Sequence, residues 1–347
     1  MKAVTYSSTG PSDVLTLGER EEPHAGPGEV RVRIHVSGVN PTDWKARLGS
    51  GRTELPVPHV PNQDGAGVVD EVGDGVDGVT VGDRVWVWDA AYKRPDGTAQ
   101  ELVVLPARQA VALPDGVSFD VGASLGIPAL TAHRALTSYD YAPRELAPGS
   151  LSGRTVLVAG GAGAVGHAAI QLAVWAGATV ISTVSGPAKA ELARAAGAHH
   201  VVNYRDEDAA TAIGALAPRG VDIIVEVSPS ANADLNIRVS AVDATISIYA
   251  DALPQVEIPV RPSMAKNLRY QFVLTYTTPT DVKDAAVRAV TRAGGDGALG
   301  VGTDNGLTIT RFALAETAAA HDAVENGLVG KALIDVTESG WRPTDAS

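Results

Sequence analysis

The chain has 347 residues, enough to bury a large core and to form two domains. It contains no cysteine, which excludes disulfides and thiolate metal ligands and fits a reducing compartment. A formal net charge of −12 and only 5% aromatic residues argue against nucleic acid or an anionic membrane surface as a general partner.

The opening stretch MKAVTYSSTGPSDVL lacks the apolar run of a signal peptide, and no later stretch is long enough to span a bilayer; a cytoplasmic protein is expected. Up to about residue 125 the chain reads as β-structure. GEVRVRIHVSGV alternates apolar and polar residues with the period of a half-buried strand, and GAGVVDEVGDGVDGVTVGDRVWVW sets short valine-rich runs between Gly-Asp turns. From Gly126 the texture changes. TVLVAG, ATVISTVS, HHVVNY and VDIIVEV alternate with the Ala-rich helical patterns AVGHAAIQLAVWAG and PAKAELARAAGA, which predicts a parallel sheet with helices on both faces. The alternation stops near ATISIYA and NLRYQFVLTYTT; LAETAAAHDAVENG then predicts a last helix and KALIDV a last strand. An α/β domain over residues 126–277 is therefore expected, inserted between β-rich segments 1–125 and 278–347.

TVLVAG suits a central buried strand. Gly161-Ala162-Gly163-Ala164-Val165-Gly166 follows it and satisfies G-x-G-x-x-G, with Val165, Ala168, Ala169, Leu172 and Ala173 on one face of the ensuing helix. The first glycine permits the tight turn, the second lets backbone approach a pyrophosphate, and the third allows close helix–strand packing; the helix N-terminus stabilises the negative charge. Dinucleotide sites that prefer NAD place an acid about 20 residues on, against the ribose 2′-hydroxyl. Here the second strand ends in STVSG, with Ser185 and no acid. Lys189 lies one turn further on, and Tyr204 and Arg205 follow the third strand. Donors and cations in place of an acid predict NADP.

These motifs, together with SGVNPTDWKARLG, GIPALTAHRAL, GVDIIVEV, PSMAKNLRYQFVL and VGKALI in the same order, resemble the medium-chain dehydrogenase/reductase superfamily. Within it they are similar to the zinc-free quinone oxidoreductases of the zeta-crystallin type. The resemblance covers nearly the whole chain. It implies an α/β protein with a GroES-like β-rich catalytic domain, a Rossmann domain with a doubly wound parallel sheet, and a cofactor cleft between them. It assigns the dinucleotide phosphates to Ala162, Gly163, Ala164 and Val165, and the adenosine phosphate to Ser185, Lys189 and Tyr204. Asn40, Thr131, Asn232 and Tyr249 are implied at the nicotinamide end or its ribose.

Zinc-dependent members carry a Cys in the first loop and a Gly-His-Glu further on. The corresponding stretches here read GVNPTD and Asn62-Gln63-Asp64, so no metal is expected. The resemblance implies hydride transfer from NADPH to a quinone, with an activated alkene as the alternative acceptor and a non-enzymatic NADPH-binding protein as a third reading. Lys45 stands where relatives usually have a tyrosine lining the cleft. As a catalytic candidate beside Asn40 it would attract an anionic acceptor or protonate an oxyanion; as an ordinary residue it is a surface cation. The connection LTSYDYAPRELAPGSLSGRTVLV is longer than in relatives. A homodimer is implied, with ATISIYADALPQVEIPV suited to an edge-to-edge contact.

Overall fold

The computed structural model describes residues 1–337, and these divide into two compact units, one of residues 1–127 with 309–337, the other of residues 128–308. No helix among the described residues is long and apolar enough to cross a membrane.

The first unit begins with β1 (Lys2–Ser8), β2 (Thr16–Glu19), β3 (Glu29–Val39), α1 (Pro41–Leu48) and β4 (Glu54–His59). It continues through β5 (Asp64–Val72), β6 (Arg84–Val87), β7 (Leu102–Pro106) and β8 (Ala110–Ala112) to α2 (Phe119–Leu136), the helix that contains the division between the units. The period-2 pattern of β3 buries Val30, Val32, Ile34 and Val36 on one face, as alternation requires. β3 pairs antiparallel with both β5 and β7, and two register shifts against β5 bend it.

The second unit takes β9 (Thr155–Ala159), α3 (Ala164–Trp175), β10 (Thr179–Val184), α4 (Pro187–Ala195), β11 (His200–Asn203) and α5 (Ala209–Leu216). β12 (Val221–Glu226), α6 (Pro229–Val239), β13 (Ser240–Ile248), α7 (Val260–Ala265), β14 (Arg269–Phe272) and α8 (Thr280–Gly295) complete it. Its strands lie in the order β11-β10-β9-β12-β13-β14, every pair parallel. Strands covered on both faces must be apolar nearly throughout, and β9 and β12 are, with Val156, Leu157, Val158, Ile223, Ile224 and Val225 all buried. The winding reverses between β9 and β12, so ligands are expected at the carboxyl ends of those two strands. The chain then re-enters the first unit through β15 (Ile309–Ala313), α9 (Thr317–Glu325) and β16 (Lys331–Asp335), with β16 antiparallel to β3.

Three sequence expectations need correction. The crossings between units fall at 127/128 and 308/309, not at 125/126 and 277/278. Residues beyond 277 stay with the second unit because α8 buries Ala285, Ala286, Ala289, Val290 and Ala293 and packs against α3. The following loop is tied to α3 as well: His167 Nε2 lies 2.8 Å from the Asn305 carbonyl oxygen, and Gln171 Nε2 donates to the Gly300 carbonyl at 3.2 Å. The second correction concerns α3, which is buried continuously from Gly166 to Ala173 and is not a one-faced helix. The third concerns the sheet edge. β13 lies between β12 and β14, so ATISIYA is interior, and β14 carries the edge with Phe272 exposed.

The long connection before β9 is anchored on the second unit. Leu146 and Leu151 are fully buried, the Arg154 guanidinium lies 5.1 Å from the Tyr139 ring centre, and Arg288 Nε donates to Glu145 at 2.8 Å. Tyr141, in the same connection, is fully exposed.

Candidate functional site

β9 ends at Ala159 and the chain turns through Gly160, whose φ of +71° favours glycine. The motif glycines have different reasons to be there. A Cβ on Gly161 would lie 2.2 Å from Ser182 Oγ, and one on Gly166 would lie 2.4 Å from the Gly160 carbonyl oxygen. A Cβ on Gly163 would approach nothing in the chain closer than 3.5 Å. Gly163 is the N-cap of α3, makes no side-chain cap bond, and the first turn holds no acidic residue. The N–H groups of Ala164, Val165 and Gly166 therefore lack intrahelical acceptors and carry the positive end of the helix dipole. Ala162 is buried beneath the turn. This is a cradle that a dinucleotide pyrophosphate fits.

The α6 N-terminus, by contrast, is already served by acids. Glu226 Oε1 accepts the Ser228 N–H at 2.6 Å, and Asp251 accepts both the N–H and the hydroxyl of Ser230 at 3.0 and 2.6 Å. Of these two termini, only that of α3 is open to an anion.

Ser185 follows β10 and Tyr204 follows β11. Parallel pairing of Val184 with Asn203, and the Tyr204 N–H on the Val184 carbonyl at 3.2 Å, bring these two positions side by side. Lys189, in the first turn of α4, donates from Nζ to Ser185 Oγ at 3.2 Å. No acid stands in that turn, and Tyr204 and Arg205 are exposed at the end of β11. The structure thus brings Ser185, Lys189 and Tyr204 together.

Asn232 sits on α6, half-buried, with Nδ2 3.0 Å from Glu226 Oε1. Tyr249, at the end of β13, donates its N–H to the Glu226 carbonyl at 3.1 Å; burial pushes its phenol well above the ordinary range, and Glu226 adds to the shift. Thr131, on α2, is buried and shares a hydrogen bond with the Thr275 hydroxyl. Glu226 and Thr275 are participants that the sequence reading did not single out. Glu226 was visible only as the end of an apolar strand, and Thr275 carried no local signal.

Asn40 belongs to the first unit and is buried at the N-cap of α1. Its N–H donates to Asp43 Oδ2 at 2.6 Å, its Nδ2 to Asp64 Oδ2 at 2.7 Å, and its Oδ1 accepts from Lys331 Nζ at 2.7 Å. Lys331 Nζ is also 3.6 Å from Asp64 Oδ2. Burial pushes Asp43 up to about 7, with the Asp64 charge adding, and pushes Asp64 up to about 6 against the opposing pull of Lys331. Burial draws the Lys331 ammonium down. Lys45 stands outside this network: it is exposed, its Nζ 5.6 Å from the Trp44 ring centre.

The same network bears on a zinc ion. Asn40, Gln63 and Asp64 supply neither thiolate nor imidazole, and the Lys331 ammonium already occupies the charge-neutralising role beside Asp64. The residues present do not fit zinc. Among the described residues no group of three or more His, Cys, Asp or Glu side chains could hold a metal.

Comparison with known proteins gives matches to two family models, "Alcohol dehydrogenase GroES-like domain" over residues 26–115 and "Zinc-binding dehydrogenase" over residues 164–292. The chain is 31% identical over 268 residues to the quinone oxidoreductase of Rattus norvegicus, covering 77% of this chain and 78% of that relative. A mycobacterial protein solved in complex with NADPH superposes with a TM-score of 0.78 at 28% identity, covering 96% of this chain and 99% of that chain. An NAD-dependent alcohol dehydrogenase superposes with a TM-score of 0.80 at 26% identity, covering 97% and 100%.

Proposed function

Since this chain belongs to the medium-chain dehydrogenase/reductase superfamily, we propose that it is an NADPH-dependent quinone oxidoreductase that works without a metal ion. The observation that carries the cofactor choice is the joined tip of β10 and β11, where Ser185, Lys189 and Tyr204 converge and the first turn of α4 holds no acid. A 2′-phosphate finds charge-assisted donors there, whereas an acid in place of Ser185 would repel it.

The open N–H groups of Ala164 and Val165, with Ala162 and Gly163 forming the turn, hold the pyrophosphate. Bound NADPH supplies a hydride equivalent to an electron-poor acceptor. The chain's own part is positioning: Thr131, Asn232 and Tyr249 orient the nicotinamide end, and Asn40 holds the start of α1. A quinone suits a site with no Lewis acid, because its reduction makes the ring aromatic, and the rat relative's name supports that acceptor. The test follows loss of NADPH absorbance against an ortho-quinone and a 2-alkenal side by side. Rapid turnover with the quinone is expected. Preference for the alkenal would make the chain a reductase of activated alkenes, and tight binding with no turnover would make it an NADPH-binding protein.

Lys45, an exposed cation on α1, would as a catalytic candidate act on the choice of acceptor. Lys45→Met is expected to lower rates with acidic quinones several-fold, on the order of one exposed charge pair, and to spare neutral ones. Equal rates across both classes of quinone would dismiss the role.

The exposed edge strand β14, with Phe272 on it and Leu274 just beyond, supports a homodimer. Sedimentation is expected to give twice the chain mass of 35.6 kDa; the monomer mass would contradict it.

A further inference from the structure

We infer that Glu226 is a positioning residue: it fixes the amide of Asn232 so that Asn232 Oδ1 is presented as an acceptor to a ribose hydroxyl of the dinucleotide. The inference rests on the dinucleotide reading above and extends it to a residue outside the phosphate cradle.

Glu226 ends β12, and the pairing of Val225 with Val158 sets it level with Ala159, immediately before the glycine turn. A Cβ on Gly160 would come within 3.2 Å of Val227 Cγ1, so the two strand ends are in contact at the point where the winding reverses. That is where a parallel sheet of this order receives its ligand. Glu226 is fully buried there.

Its carboxylate is held by N–H donors. Oε1 accepts from the Ser228 N–H at 2.6 Å and from Asn232 Nδ2 at 3.0 Å, and Oε2 accepts from Asn236 Nδ2 at 2.6 Å and from Asn232 Nδ2 at 3.3 Å. A buried charge needs such partners, and the Ser228 contact also serves the N-terminus of α6. The Asn232 contact has a further consequence.

An asparagine amide can usually turn over, exchanging its donor and acceptor ends. An ionised carboxylate only accepts, so Glu226 forces Nδ2 inward and removes that freedom. Asn236, the other amide on the carboxylate, is buried, whereas Asn232 is half-exposed. Among the described residues none donates a hydrogen bond to Asn232 Oδ1. Asn232 therefore offers a ligand an acceptor and not a donor, which matches a hydroxyl and mismatches a phosphate or a carbonyl oxygen.

The test reverses the pair. Asn232→Asp keeps the shape and the acceptor oxygens but sets a carboxylate against Glu226. Glu226→Gln removes the obligatory acceptor. In the double variant the amide now at position 226 can donate to the carboxylate now at position 232, leaving one oxygen of that carboxylate facing the ligand. NADPH affinity is read by fluorescence titration, with thermal unfolding in parallel. Each single substitution is expected to weaken binding about tenfold, the worth of one well-placed hydrogen bond, and the double variant to return to within about threefold of the unaltered chain. Losses that simply multiply in the double variant, or Asn232→Asp binding as tightly as the unaltered chain, would overturn the inference. Asn232 is half-exposed, so if Glu226→Gln unfolds, Asn232→Asp binding as tightly as the unaltered chain still overturns the inference. Failure of the unaltered chain to bind NADPH would instead overturn the dinucleotide reading, and this inference with it.

Discussion

Gly163→Val is expected to give a folded protein that has lost NADPH affinity by at least about 100-fold, the worth of two charge-assisted hydrogen bonds. The backbone at Gly163 has φ −88° and ψ 159°, a conformation that any residue adopts. A Cβ there approaches no atom of the chain closer than 3.5 Å, so folding places no demand for glycine. On the proposed dinucleotide reading ligand approach does, because the turn would bring the open N–H groups of α3 against the pyrophosphate. Gly161→Ala should behave in the opposite way. Its Cβ would lie 2.2 Å from Ser182 Oγ, and overpacking of this kind costs about 1–3 kcal/mol of stability. Fluorescence titration and thermal unfolding on both variants check the pair. A Gly163→Val protein that binds NADPH as tightly as the unaltered chain would mean that the turn does not hold the pyrophosphate.

Lys189→Ala is expected to weaken NADPH binding by about 10- to 100-fold and NADH binding by less than about twofold. Lys189 Nζ and Ser185 Oγ are 3.2 Å apart, so a phosphate oxygen can bridge them, with Tyr204 at the neighbouring strand end. NADH lacks that phosphate and loses only a nearby cation. Removing the ammonium leaves the backbone intact, since Lys189 is half-exposed and its hydrogen bond is to the Ser185 side chain. Titrations of the two cofactors against the same variant check the difference. Equal losses would place Lys189 away from the 2′-phosphate.

Both effects arise from features that were legible in the sequence because they are local. The valine alternation of β3 and the apolar run of β9 are read over a few residues, and the glycine turn joins one strand to the next helix. The missing acid after β10 is equally a matter of reading one position. What escaped was long-range. α8 belongs with the second unit because its alanine stripe packs on α3, more than a hundred residues earlier in the chain, and nothing within the stripe itself names that partner. Lys331 reaches Asn40 across 291 positions, so the buried network around α1 had no sequence signature beyond an isolated lysine in VGKALI. Glu226 lies only six positions from Asn232, yet strand VDIIVE ends in a charge that solvent exposure would explain equally well until its burial is known.

Use of the phosphate-bearing cofactor to reduce an electron-poor acceptor is tested most directly by kcat/KM for NADPH and for NADH. Both are measured on the unaltered protein, at fixed ionic strength, with one ortho-quinone as acceptor. NADPH is expected to be preferred by at least about tenfold, as one or more charge-assisted hydrogen bonds to the 2′-phosphate require. Equal values, or a preference for NADH, would contradict it.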